Sequence, residues 1–194
     1  MSKRYMVESM EIHELAWREE ESKIVFDSRI FSVRESLCRS PKNDIKTFTV
    51  MDAADWVIAM PLIERAGERE FVMVRQWRHG SREMSLEFPG GVMERGETPF
   101  AAAGRELREE TAYEAGKLRK LGEFRPNPAL MANTVHIFLA EDLRHTGAQN
   151  LDEDEYLEVI PVKAGEVFRD MGRPPYVHAL MGSALALYLR EYPL

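Results

Sequence analysis

The sequence predicts an α/β sandwich: a mixed sheet with helices on both faces. Three observations carry that expectation. WVIAMPLI (56–63) and FVMVRQ (71–76) are nearly continuous apolar segments, as expected of strands buried on both faces. A helix is predicted from Pro99 to about Thr111, between these strands and the later segments VHIFLA and YLEVIPV. In the tail, Ala179, Leu180, Ala184, Leu185, Leu187 and Tyr188 recur at helical spacing, a stripe read as core packing without a functional role.

Composition narrows the class. With 194 residues, 44% apolar and 30% charged, the chain can build a full core and has ordinary globular proportions. A net charge of −7 argues against a nucleic-acid-binding surface. The single cysteine, Cys38, permits no internal disulfide and fits a reducing compartment. No apolar run is long enough to cross a membrane, and the N-terminus lacks the apolar core of a signal peptide. A cytoplasmic protein with neither nucleic-acid nor membrane partners is the expectation.

From the N-terminus, residues 1 to about 22 are charged and mixed, and read equally well as a short helix or a loose arm. KIVFDSRIFSVRESLCR (23–39) has strand composition, a turn follows at 40–43, and KTFTVM (46–51) reads as the return strand. The domain expectation is therefore an arm and hairpin-like module over 1–51 and a larger domain over 52–194. Phe31 or Trp17 could stack on a nucleobase or simply pack in a core. A polar turn with Gly67 joins the two buried strands. Gln76-Trp77-Arg78 follows, and SLEFP leads into the turn at Gly90-Gly91. Beyond the helix come a strand, a proline-broken loop with Pro128, the strand VHIFLA, and the acidic loop HTGAQNLDEDEY (145–156). His136 reads as a strand residue facing a polar surface, and His79 and His178 show no metal-ligand spacing. Two tail helices are expected over roughly 163–171 and 175–190.

The chemistry concentrates in GVMERGETPFAAAGRELREETAY (91–113). Thr98 is an N-cap and Pro99 suits the first helical position. Glu106 and Glu110 are four residues apart and Glu109 is three from Glu106, so three carboxylates crowd together. Such a helix is either solvated there or held by a cation. Hard cations such as Mg²⁺ bind through a few carboxylates plus substrate phosphates. Arg105, four residues before Glu109, can orient a carboxylate.

The whole stretch resembles the Nudix box, G-x5-E-x7-R-E-U-x-E-E-x-G-U, with U a bulky apolar residue. Gly91, Glu97, Arg105, Glu106, Leu107, Glu109 and Glu110 all fall at their places. Ala112 stands where the last glycine belongs, which puts the helix-ending turn in question, and Tyr113 fills the final apolar slot. QWR (76–78) and EFPGG (87–91) are similar to segments of the branch that cleaves ADP-ribose.

The resemblance implies a Nudix-type α/β/α sandwich and, in the N-terminal module, a dimerisation element serving both active sites of a homodimer. It implies Mg²⁺, with Mn²⁺ as a substitute, held by Glu106, Glu109, Glu110 and the carbonyl of Gly90, and supported by Glu97 and Arg105. Arg78 would bind the diphosphate, Phe31 the base, and Pro128 would stiffen a pocket loop. An acid of the 152–155 loop would be the base, Glu153 first and Glu155 as alternate. The implied reaction is hydrolysis of ADP-ribose or another nucleoside diphosphate sugar, with ADP-glucose and GDP-mannose also open. The competing readings are a Nudix hydrolase of a nucleoside triphosphate or capped RNA, and a sensor that binds a nucleotide sugar without cleaving it.

Overall fold

The computed structural model describes residues 14–153 and 155–193. Any arm or helix within residues 1–13, and the acid Asp154, lie outside the described residues. The chain divides into two units: the chain up to Ala53 with Ala129–Ala132, and Ala54–Pro128 with the chain from Asn133 onward.

The first unit is a three-stranded antiparallel sheet, β1 Arg18–Asp27, β2 Phe31–Arg39 and β3 Ile45–Ala53, in the order β1-β2-β3. The segment expected as a single strand region over 23–39 is thus two strands. Ser28 makes the break, with its N–H (3.0 Å) and its hydroxyl (2.7 Å) both donating to the Phe31 carbonyl. Serine favours such turns because its hydroxyl can replace a ladder bond. The charged residues before Lys23 extend β1 because they face complementary charges across the ladder. Glu19 pairs with Arg34, Glu20 with Arg39, and Lys23 with Glu35 at 3.1 Å. Trp17 packs edge-on to Phe48, with ring centroids 5.0 Å apart. The 129–132 segment lies beside β3, where Met51 N–H donates to Leu130 O (2.8 Å) and Ala132 N–H donates to Met51 O (3.0 Å).

The second unit holds β4 Trp56–Arg65, β5 Glu68–Arg78, β6 Glu83–Glu87, α1 Pro99–Thr111, β7 Tyr113–Phe124, β8 Val135–His145, β9 Leu157–Lys163, α2 Ala164–Asp170 and α3 Ala179–Glu191. Its mixed sheet runs β6-β5-β4-β8-β7, with β9 on β5; β4 and β8 are parallel and the remaining pairs antiparallel.

Period-two alternation explains the continuous apolar runs. Val57, Ala59, Phe138 and Ala140 meet Ala102, Ala103 and Leu107 of α1 on one face. Ile58, Met60, Ile137 and Leu139 share a core with Met181, Ala184, Leu185 and Tyr188 of α3 on the other. Both faces of the central strands are covered. The β4–β5 hairpin closes in two residues, Ala66 (φ 52°) and Gly67 (φ 80°), the left-handed pair that matches strand twist. The last helix starts at Ala179 and not at 175, because His178 caps it: its Nδ1 accepts from the Leu180 N–H at 3.2 Å.

Candidate active site

Helix α1 begins and ends where its sequence directs. The Thr98 hydroxyl accepts from the Ala101 N–H at 3.2 Å, and Pro99 takes the first position. At the other end Ala112 adopts the left-handed conformation, φ 58° and ψ 24°, and its N–H donates to Arg108 O at 2.9 Å. The turn therefore survives without glycine, at a cost of about 1 to 2 kcal/mol for an L-residue in that region.

The buried face of α1 carries Ala102, Ala103, Glu106, Leu107, Glu110 and Thr111. Two carboxylates thus sit on a face that otherwise packs against the sheet. Glu109 is displaced from them: at three residues from Glu106 it falls to the flank, with a side chain 26% exposed. The crowding expected of three acids is a buried pair with a third beside it.

Each carboxylate has a defined holder. Glu110 Oε2 accepts from the Gly90 N–H at 2.8 Å. Arg105 Nη1 donates to Glu106 Oε1 (2.8 Å) and Glu109 Oε2 (2.9 Å), while its Nε and Nη2 both reach Glu97 at 3.1 Å. Its Nη2 also donates to the Val92 carbonyl at 3.1 Å. This is the planar, many-donor geometry that distinguishes arginine from lysine. The glycines are required by space: a Cβ on Gly90 would lie 2.2 Å from Val57 O, and one on Gly91 would lie 2.6 Å from Glu106 Oε1.

The electrostatics show what the pair lacks. Burial raises the Glu106 pKa to about 7 against the counteracting Arg105, and the charges of Glu109 and Glu155 add to the rise. Burial raises Glu110 to about 8; the Gly90 N–H opposes this, while Glu106 and Glu155 reinforce it. The site is short of positive charge. Its donors are hard oxygens suited to a divalent cation. Among the described residues, no group of three acid, histidine or cysteine side chains is arranged to hold a metal ion by itself. The donor set fits an ion whose remaining positions belong to water and phosphate oxygens.

A domain model described as the NUDIX domain matches residues 55–179. The chain belongs to the Nudix family. Among its relatives, the ADP-ribose pyrophosphatase of Bacillus subtilis (strain 168) is 40% identical over 105 residues, 54% of this chain and 57% of that protein. The methanol dehydrogenase activator of Bacillus methanolicus is 34% identical over 112 residues, 57% of this chain and 60% of that protein. The match thus spans under two thirds of either relative. A solved structure titled as that of an ADP compounds hydrolase shares the fold, with a TM-score of 0.78 at 22% identity, covering 95% of this chain and 99% of the other.

Within this Nudix domain the acidic loop is fastened to the box helix. Asn150 N–H donates to Glu109 O (2.9 Å), Thr146 N–H to Ala112 O (2.8 Å), and the Gln149 amide to Glu110 O. The carbonyls exposed at the end of α1 are thereby satisfied. The tether brings Glu155 into the field of Glu106, Glu110 and Arg78. Glu155 Oε2 accepts from the Asp152 N–H at 3.1 Å, and Glu153 is exposed in the turn.

Arg78 ends β5, and its guanidinium grips Glu87 of β6 through Nε (2.9 Å) and Nη2 (2.6 Å). Glu87 is 1% exposed, and His178 Nε2 lies 4.0 Å from its Oε2. Because Nδ1 of His178 accepts the cap bond, its ring proton sits on Nε2, facing that carboxylate. Burial lowers the His178 pKa, with the Glu87 charge acting against it. Neither Glu87 nor His178 is among the site residues expected from sequence. Glu87 opens the EFPGG segment and so had a visible signal; His178, ninety-one positions on, had none.

His136 is buried and not on a polar surface, with Nδ1 3.1 Å from Glu123 and Nε2 3.5 Å from Asp55. Pro128 is exposed at the point where the chain leaves the second unit. Phe31 belongs to the first unit, half-buried beside Phe26 with ring centroids 5.8 Å apart. No helix among the described residues is long and apolar enough to cross a membrane.

Proposed function

We propose that this protein hydrolyses the diphosphate bond of ADP-ribose or a related nucleoside diphosphate sugar, releasing a nucleoside monophosphate and a sugar phosphate. Mg²⁺ is the working cation and Mn²⁺ a substitute. The observation that carries the reading is the Glu106–Glu110 pair on the buried face of α1, beside Glu109 and Gly90, with pKa values raised by burial to about 7 and about 8. When bound, divalent cations neutralise the diphosphate and activate water.

Glu106, Glu109 and Glu110 hold the cations, and the Gly90 carbonyl adds a donor. Support for Gly90 comes from its neighbours: Pro89 O and Gly91 O accept from Ala59 and Val57 of β4, both at 2.9 Å. Successive carbonyls of an extended chain alternate in direction, which turns that of Gly90 toward the carboxylates. Arg105 and Glu97 hold the acids in place, and Arg78 binds the diphosphate through donors that Glu87 leaves free. Glu155 takes the proton from the attacking water. Its field on the carboxylate pair favours it over Glu153, which stays the alternate. The resemblance adds Phe31 as a surface for the base and Pro128 as the rigid residue of a pocket loop.

The protein works as a homodimer joined through the N-terminal sheet. In support, β1 is an edge strand exposed throughout, with Ile24 at 65%, Phe26 at 52% and the following Ile30 at 68% exposure. Light scattering at micromolar concentration tests this, and a fully active monomer would remove it.

The deciding experiment is a substrate screen with Mg²⁺ that reads phosphate-containing products. Cleavage of nucleoside diphosphate sugars supports the proposal. Cleavage confined to nucleoside triphosphates or capped RNA replaces it with another Nudix reaction, and tight binding without products replaces it with a sensor.

A further inference from the structure

The chain runs on from the end of β6 through Phe88, Pro89 and Gly90 into the Nudix box, and its backbone groups point alternately to two sides. One side faces β4, where Pro89 O and Gly91 O accept from Ala59 and Val57. The other side presents three N–H groups in succession. Leu86 N–H donates to Pro175 O at 3.0 Å, Phe88 N–H to the Met181 thioether Sδ at 3.0 Å, and Gly90 N–H to Glu110 Oε2 at 2.8 Å. We infer that Met181, a core residue of α3, is a positioning residue for the cation site: by holding the Phe88 N–H it sets where Gly90 stands against Glu110. The inference rests on the proposed cation site and adds a holder from another helix.

Burial is the first support. Met181 and Phe88 share a core with Ile58 and Met60 of β4, and both are closed to solvent, so bulk water does not replace a lost acceptor there. A buried N–H without a partner is rare in folded proteins, and the chain would shift to find one. Spacing is the second. Phe88 lies two residues from Gly90 on the same side of the segment, and Pro89 between them has no N–H to hold the chain. The Met181 contact is therefore the anchor next to Gly90 on that side. Confinement is the third: a Cβ on Gly90 would lie 2.2 Å from Val57 O, so β4 already bounds the segment on one side and Met181 bounds it on the other. Methionine suits the task, since its unbranched side chain adapts its reach and its sulfur is a polarizable, weak acceptor. Packing alone would be served nearly as well by leucine. What leucine lacks is the acceptor.

The test compares two methionines of one core. Met181→Leu removes the acceptor and nearly keeps the volume, and Met60→Leu makes the same exchange at a residue that does not hold this N–H. Mn²⁺ binding to the otherwise metal-free proteins is followed by electron paramagnetic resonance, amide exchange by NMR, and folding by circular dichroism. We expect Met181→Leu to weaken Mn²⁺ about tenfold, the scale of a lost outer holder of a metal site, and Met60→Leu to stay within about twofold. Exchange at the Phe88 and Gly90 amides should quicken about tenfold or more in Met181→Leu alone. Met181→Gln, which returns an oxygen acceptor of similar reach, should recover Mn²⁺ binding to within about threefold of the parent. Met181→Ile gives the same reading where leucine misfolds. Equal Mn²⁺ affinity in the parent and Met181→Leu would overturn the inference and leave the cation site standing. Equal losses in Met181→Leu and Met60→Leu would overturn it too, as a general loosening of the core. A parent that binds no Mn²⁺ would sink the cation site and the inference together. A loss confined to Met181→Leu in a protein that cleaves no nucleotide sugar would uphold the inference and sink the proposed reaction.

Discussion

Two groups of buried glutamates occupy the second unit, and their surroundings drive them in opposite directions. Glu87 is as buried as Glu110, 1% against 3% exposed. Burial raises the Glu87 pKa, but the two hydrogen bonds and the charge of Arg78 more than offset it, and the carboxyl ends below its ordinary value. Glu106 and Glu110 have Arg105 and a backbone N–H between them, and end at about 7 and about 8. The protein thus completes one ion pair from its own residues and leaves the other short of a cation. Desolvation is shared by both groups; what differs is whether the fold supplies the countercharge.

The largest test of that contrast is Glu110→Gln, which keeps the shape and removes the charge. Several kcal/mol of transition-state stabilisation attributable to bound cations translate into a loss of kcat on the order of 10³-fold. Near-normal turnover of the folded variant at saturating Mg²⁺ would remove the metal role from this carboxylate.

Next in size is the base. Glu155→Gln should lower kcat by about 10² to 10⁴-fold while Glu153→Gln stays within a few-fold. The opposite pattern moves the role to Glu153, and two near-normal variants leave the loop as a lid only.

On the self-sufficient side, Arg78→Met leaves Glu87 buried and unpaired. Breaking such a pair costs about 3 to 5 kcal/mol, and the lower end applies because the guanidinium is 40% exposed. Urea denaturation measures it. The double variant Arg78→Met/Glu87→Gln should recover more than half of the loss, and a single-variant cost under about 1 kcal/mol would show that Glu87 has another holder.

The contrast also has a pH signature. The folded pKa values of Glu106 and Glu110 lie above the ordinary 4.5, so the folded state keeps protons that the unfolded chain has released. Their contribution is fully present below pH 4.5 and is lost as the pH rises through about 7 and about 8. For Glu87, with its lowered pKa, the sign reverses: its contribution is present above the ordinary carboxylate pKa and lost in acid. The melting temperature of EDTA-treated protein should therefore fall between pH 6 and pH 8, within the range those pKa values span. Mg²⁺ should restore it, and Glu110→Gln should flatten the slope. A flat profile in the EDTA-treated parent protein would contradict this reading of the pair.

The smallest effect concerns the end of the box helix. Ala112→Gly relieves a left-handed alanine, and after the extra freedom of the unfolded glycine about 0.5 kcal/mol of stability should remain. Destabilisation instead would mean that the buried Ala112 methyl contributes more by packing than its backbone conformation costs.

Local chemistry was legible in the chain. The limits of α1 follow from Thr98, Pro99 and the turn at Ala112, and the two-sided burial of β4 follows from WVIAMPLI, because capping and alternation act over a few residues. The same locality made the spacing of Arg105 to Glu109 readable. It misled where a local rule had a tertiary competitor. Residues 18–22 joined β1 because their charges met Arg34 and Arg39 on a neighbouring strand, and the 23–39 segment divided at Ser28. Only the folded chain decided which acids became buried, since helical spacing alone does not say which side faces the sheet. It also decided that Glu155 lies in the field of the carboxylate pair, through bonds from the 146–150 loop to the end of α1. Arg78, Glu87 and His178 come from β5, β6 and the cap of α3, and no spacing in the sequence announces their meeting. Contacts between distant segments depend on how the sheet stacks its strands, and that information is spread over the whole core.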